Sequence, residues 1–244
     1  FFHAYASINM KANQTISGTA LNMFAPAFAI FVARVIQGVQ QIQFNNTFRI
    51  ESVPVLGKIP FLGPLLFQNT YITTYLGILI LIASTLVLYR TRFGLRLRSC
   101  GENPQAADSL GINVYKMRYA GTTISGALAG MGGFVYALTT ANCTANGDVA
   151  GFGFLALAVM IFGNWKPLNI AGASLLFGLF KCVAASYSSI DINGDGVYLL
   201  AEIGVSPHFY RMLPYLITLI VLAFTSKKSR APKAEGVPYD KGKR

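Results

Sequence analysis

Leu97–Arg118, LRSCGENPQAADSLGINVYKMR, is a polar, basic island in an otherwise oily sequence. Uncharged runs long enough to cross a bilayer flank it. Upstream, Tyr71–Tyr89, YITTYLGILILIASTLVLY, offers 19 residues without a charge and a Tyr at each end. Aromatic side chains at both ends of an apolar run mark the two membrane interfaces. Downstream, Tyr119–Gly147 carries no charge at all. The island is therefore the connector between two membrane spans, and the fold is an all-α, polytopic transmembrane bundle.

The remaining spans follow outward from it. Ala12–Ala33, ANQTISGTALNMFAPAFAIFVA, is 22 uncharged residues bracketed by Lys11 and Arg34, enough at 1.5 Å per residue for a hydrocarbon core of about 30 Å. Thr19 and Asn22 share one face of that helix, and Pro26 is placed to kink it. An amide facing lipid is costly, so Asn22 either bonds a neighbouring helix or lines a water-filled path. Gln37–Asn69 holds prolines 54, 60 and 64, which forbid a continuous helix; an apolar loop on the membrane surface or plugging the bundle is expected. In Tyr119–Gly147, Gly126 and Gly130 form a GxxxG pair on a face of small residues that admits close helix approach. Val149–Trp165 is short for a span at 17 residues: it either crosses with little tilt or is a broken helix. Pro167 suits the first position of the next helix, in which Lys181 either snorkels to an interface or faces the bundle interior. Met212–Ser226 makes a final span.

About six passes result, near residues 12–34, 71–89, 119–141, 149–165, 168–188 and 209–226. The corresponding organisation is a membrane domain over residues 1–226, with the connector at 90–118, and a basic, solvated tail at 227–244. Charge tests this arrangement independently. The connector Arg90–Arg118 holds six Lys/Arg against two acids, and the tail holds seven against two. Four passes separate them, so both lie on one side. Glu51, Asp148, Asp191, Asp195 and Glu202 fall on the other. Positive loops stay in the cytoplasm, so both ends of the chain are expected there.

Composition agrees. Residues are 53% apolar and only 12% charged, whereas charged residues make up about a quarter of a soluble chain. The net charge of +11 fits cytoplasmic retention of Lys and Arg, and no basic patch interleaved with aromatics points to nucleic acid. The cysteines Cys100, Cys143 and Cys182 form no CxxC pattern, which excludes a zinc ligand set and disfavours a disulfide framework.

No GxxxxGK[ST] phosphate loop is present, so the chain lacks that means of holding a nucleotide, and no carboxylate pair sits in a span as an ion-coupled carrier needs. Energy must then come from a partner; an ion-coupled carrier or channel acting alone is the alternative. Asp191, Asn193, Asp195 and Glu202 match the calcium-loop pattern D-x-[DN]-x-[DN]-G-x₅-E, read either as a calcium site or as an Asx-rich turn. Thr19, Asn22, Phe152 and Phe154 are the candidates for lining a solute path, by polarity, aromatic character and position.

GENPQAADSLGINVYKMRYAGTTISGALAGMGG (101–133), GFGFLALAVMIFGNWKPLNIAGASLLFG (151–178), LPYLITLIVLAF (213–224) and APKAEGVPYDKGKR (231–244) together resemble the permeases of bacterial ABC importers. The group is that of branched-chain amino acid and simple-sugar permeases. NQTISGTALN (13–22) and FLGPLLFQNTYITTYLG (61–77) are closer to its nucleoside branch, linked to basic membrane lipoproteins. The resemblance implies further helices upstream of Phe1. It also implies a separate ABC ATPase subunit that hydrolyses ATP, a second permease subunit and an extracytoplasmic solute-binding lipoprotein. This chain would be neither an enzyme nor a cofactor carrier. The solute would be a nucleoside or purine, or a simple sugar such as ribose. Gly101–Gly111 would correspond to the short helix that docks on the ATPase, through Gly101, Glu102, Asn103, Pro104, Ala106, Ala107 and Gly111. Asn103-Pro104 supplies a turn with Pro at the first helical position, and Gly111 ends the helix.

Overall fold

The computed structural model describes residues 1–44, 48–53, 67–139, 144–145, 147–186, 209, 212, 216, 219–220 and 231–242. Helices dominate, in the order α1 (Phe2–Ile8), α2 (Gln14–Gln37), α3 (Ile72–Arg90), α4 (Arg92–Glu102), α5 (Pro104–Ser109), α6 (Val114–Thr139), α7 (Phe152–Phe162) and α8 (Pro167–Ser186). The chain divides into two units, Phe1–Ala150 with Pro232–Arg244, and Gly151–Ala231.

In the first unit, α1 packs against α2 and α6. Asn13 starts α2 by accepting hydrogen bonds from the amides of Thr15 and Ile16, and Gly38, at φ 72°, ends it. Pro26 lies inside this helix, which is continuous from Gln14 to Gln37. Gly147, also left-handed at φ 79°, lies against it: a Cβ there would stand 3.1 Å from both the Pro26 carbonyl oxygen and the Ala29 Cβ. The 19 residues of α3 extend about 28 Å, and none is buried. Its Ile78, Leu79, Ile82 and Leu86 stand open. An apolar cylinder of this length left bare by its own chain calls for lipid or neighbouring helices.

The loop expected over Gln37–Asn69 is corrected in part. Two short antiparallel ladders join it: β1 (Ile42–Gln43) pairs with β4 (Thr144–Ala145), and β2 (Arg49–Ser52) pairs with β3 (Gln68–Tyr71). Strand pairing satisfies backbone groups that a helix cannot, in a segment whose prolines exclude one. The structure is thus mainly helical with two minor ladders.

In the second unit, α7 and α8 form a helical hairpin. Val159, Ala173 and Phe177 are its buried centre, and the Phe162 and Phe177 rings meet edge to face at 6.2 Å. Asn164 and Trp165 turn the chain with φ of 55° and 57°. Gly163 makes the turn possible, since a Cβ there would fall 2.6 Å from the Ile170 Cα.

Among the described residues three helices, α2, α3 and α8, are long and apolar enough to cross a membrane. Of the two readings of 149–165, the broken helix is the one that fits: α7 has 11 residues, about 16 Å or half the core thickness, too short to span as a helix by itself. α6 begins at Val114, ahead of the expected Tyr119, because the Asn113 side chain accepts from the Lys116 amide at 2.9 Å and starts the helix there. Of the final pass, residues 209, 212, 216, 219 and 220 are helical. Asp191, Asn193, Asp195, Glu202 and Cys143 lie outside the described residues.

Candidate functional site

The connector is three locally determined pieces. Thr91 ends α3 and starts α4: its hydroxyl donates to the Val87 carbonyl at 2.6 Å and accepts from the Gly94 amide at 3.1 Å. Gly94 is obligatory there, because a Cβ would lie 2.2 Å from the Val87 oxygen. The arginines of this stretch therefore sit on a helix, α4, that the charge reading did not anticipate. One of them, Arg98, lies over the Tyr89 ring at 4.9 Å.

Asn103 leaves α4 in an extended conformation and caps α5, its side-chain oxygen accepting from the Ala106 amide at 3.0 Å; Pro104 takes the first helical position. Such a cap is worth about 1 kcal/mol. At the other end Gly111, at φ 79°, donates to the Asp108 carbonyl at 2.9 Å, and Ile112 donates to the Ala107 carbonyl at 3.1 Å. That paired arrangement is the Schellman stop. The expected turn, helix and glycine stop of Gly101–Gly111 are all present.

The alanines have opposite surroundings. Ala107 is 2% exposed, clustered with Cys100, Val114 and Tyr239, whereas Ala106 is open. Beside Ala106, Leu110 stands 81% exposed, a large apolar side chain on the open face of the connector that sequence reasoning passed over. Its signal was available: a large apolar residue immediately before a helix-stopping glycine on a polar connector. A cleft of about 240 Å³, bordered by Asn103, Gln105, Lys233 and Pro238, lies at the start of α5. One of about 330 Å³, bordered by Asp108, Asn113, Tyr115 and Lys241, lies at its end.

The tail is the main correction. Expected to be solvated, residues 232–242 instead lie along the connector. Tyr239 is 6% exposed, its ring edge-on to Tyr115 at 5.4 Å. The Ala234 amide donates to the Gly101 carbonyl at 2.9 Å, and Arg118 Nη1 donates to the Val237 carbonyl at 3.0 Å. Lys233 meets Glu102 at 3.2 Å and Lys11 meets Asp240 at 3.1 Å. Burial pushes the Cys100 thiol above its ordinary pKa, against the opposing pull of Ser99 and Arg118. The cause of the correction is physical: a basic segment still docks when one aromatic ring and its backbone groups find partners.

The candidate path residues are placed separately. Thr19 and Asn22 are exposed on α2, with the Thr19 hydroxyl donating to the Thr15 carbonyl at 2.9 Å. In the other unit Phe154 is exposed, and Phe152 is partly buried beneath Lys181, whose Nζ is 3.2 Å from the ring centroid. Lys181 thus has an aromatic partner within its own unit, and a ring stacking on that face of Phe152 must displace it. Among the described residues no group of three or more His, Cys, Asp or Glu could hold a metal.

The family model described as branched-chain amino acid transport system / permease component matches residues 1–222. The chain belongs to this family. It is 45% identical over 241 residues to the nucleoside ABC transporter permease protein NupC of Lactococcus lactis subsp. cremoris, covering 99% of this chain and 73% of that protein. To the guanosine ABC transporter permease protein NupQ of Bacillus subtilis it is 43% identical over 244 residues, again 99% and 73%. A putative glucose ABC transporter permease of Haloferax volcanii shares 29% over 238 residues, 91% of this chain and 69% of the relative. No solved structure matches. The permease is accordingly a multi-pass membrane protein and a transport component, not an enzyme.

Proposed function

We propose that this permease moves nucleosides across the cytoplasmic membrane by alternating access, driven by a separate ABC ATPase that docks on α5. It works with a second permease subunit and an extracytoplasmic solute-binding lipoprotein. The observation that carries the docking reading is the state of α5: a helix closed at both ends by its own chain, with Leu110 exposed at its tip. A helix fixed before its partner arrives loses little conformational freedom on binding. The identities to NupC and NupQ support nucleosides over sugars. The connector and residues 232–242 share one unit with the N-terminal Lys11, which supports placing all three on the cytoplasmic side.

Six passes fit this reading, the one through α7 being a broken helix of the kind that borders solute sites in transporters. Thr19, Asn22, Phe152 and Phe154 line the path.

Uptake of radiolabelled guanosine and uridine into proteoliposomes holding the permease, the ATPase and the binding lipoprotein tests the proposal. Uptake should require ATP and the ATPase, and unlabelled nucleoside should compete where ribose does not. Uptake that persists without the ATPase would instead favour an ion-coupled carrier.

A further inference from the structure

We propose that residues 232–242 form a clamp that holds α5 in its docking pose, with Tyr239 and Arg118 as positioning residues for the coupling of ATP hydrolysis to transport. The inference rests on the docking reading above and extends it to a segment that reading does not use.

The clamp reaches three parts of the first unit. At the junction of α4 and α5 it is hydrogen-bonded to Gly101 and ion-paired with Glu102. At α6, Arg118 holds the Val237 carbonyl and lies 5.9 Å from the centre of the Tyr239 ring. At the start of α2, Asp240 pairs with Lys11. The adjoining Asn9 accepts a hydrogen bond from Tyr119 of α6. Tyr239 shares one buried cluster with Ala107, Cys100 and Val114, so the core that the buried face of α5 joins is completed by this ring. Without it, α5 keeps its own caps but loses the surface it leans on.

The two kinds of contact are unequal. Both ion pairs are between exposed or half-exposed side chains, and such pairs add little. Burial of the ring and the two backbone hydrogen bonds carry the attachment. A docked ATPase pushing on α5 therefore pushes, through Tyr239 and Arg118, on α6 and the base of α2.

Cys100 reports the clamp directly, being 3% exposed in the same cluster as Tyr239. In the assembled importer, with Cys143→Ser and Cys182→Ser in the permease and a cysteine-free ATPase, N-ethylmaleimide labelling of Cys100 in detergent reads the clamp whatever the sidedness. Tyr239→Ala should raise the labelling rate at least about tenfold, as local opening does for protected groups. The same variant in proteoliposomes should move at least about threefold less guanosine per ATP hydrolysed, a loss in the usual range for broken coupling networks. Tyr239→Phe keeps the ring and should stay close to wild type in both, which separates positioning from a general loss of fold.

Unchanged labelling in Tyr239→Ala overturns the clamp. Raised labelling with unchanged guanosine per ATP overturns its positioning role. A Ser109→Cys cross-link to the ATPase reports the docking reading by itself. Its absence in the otherwise unaltered importer sinks that reading and the positioning role with it, while Cys100 protection would still establish the packing.

Discussion

Leu110→Ala isolates the docking face from everything else in the connector. The residue is 81% exposed, so truncating it removes little that the folded permease uses, and its own stability should stay within about 0.5 kcal/mol. On docking, the three carbons lost from the side chain would each forgo about 0.8 kcal/mol of burial, or about 2 kcal/mol altogether for a largely covered side chain. That corresponds to a roughly thirtyfold weaker Kd at 1.4 kcal/mol per factor of ten. Binding of the ATPase to the permease in lipid nanodiscs, followed by biolayer interferometry, measures it. Most of the loss should appear in the dissociation rate. Leu110→Asp should weaken binding further, because docking would then desolvate a carboxylate. Equal affinities for Leu110, Ala and Asp forms would refute the reasoning and remove α5 from the interface.

Raising the pH should accelerate Cys100 labelling through an inflection above the ordinary thiol range, since burial holds the neutral form. Tyr239→Ala should move that inflection down towards the ordinary value, as solvent then reaches the thiolate; a pH series of maleimide rates reads both. Lys233→Ala and Asp240→Ala, each breaking an exposed ion pair, should leave Cys100 protection within about twofold of wild type, as expected of surface pairs worth well under 1 kcal/mol. Gly163→Ala should destabilise the α7–α8 hairpin by about 1–3 kcal/mol, because its Cβ would press on Ile170; thermal unfolding in detergent measures it.

Local chemistry was legible in the sequence and distant packing was not. Asn103, Pro104 and Gly111 announce α5 because cap, first turn and stop each act within a few residues. Apolar run length announced α2, α3 and α8. It left α7 open between a span and a broken helix, because glycines 151 and 163 confine the helix to 11 residues inside a longer oily stretch. α4 was hidden because its arginines dominated the reading of a stretch whose apolar positions, Leu95 and Leu97, alternate with them. The ladders joining Arg49–Ser52 to Gln68–Tyr71 are too short for periodicity to reveal. Tyr239 is the clearest case. Its partners Cys100, Ala107 and Val114 lie on the far side of several helices in sequence, and a basic, Pro/Gly-broken segment carries no local sign of a seat waiting for it.

The seat also orders events during synthesis. α5 leaves the ribosome early and can acquire its caps at once, since every group involved lies within the connector. The ring that completes its buried face is made only after α6, α7 and α8. Until then Ala107 and Cys100 border an unfilled gap, and the connector is helical but unsupported. A nascent permease thus presents its finished connector only after its later helices have been made, so one that stops short of Tyr239 lacks the support against which α5 is set.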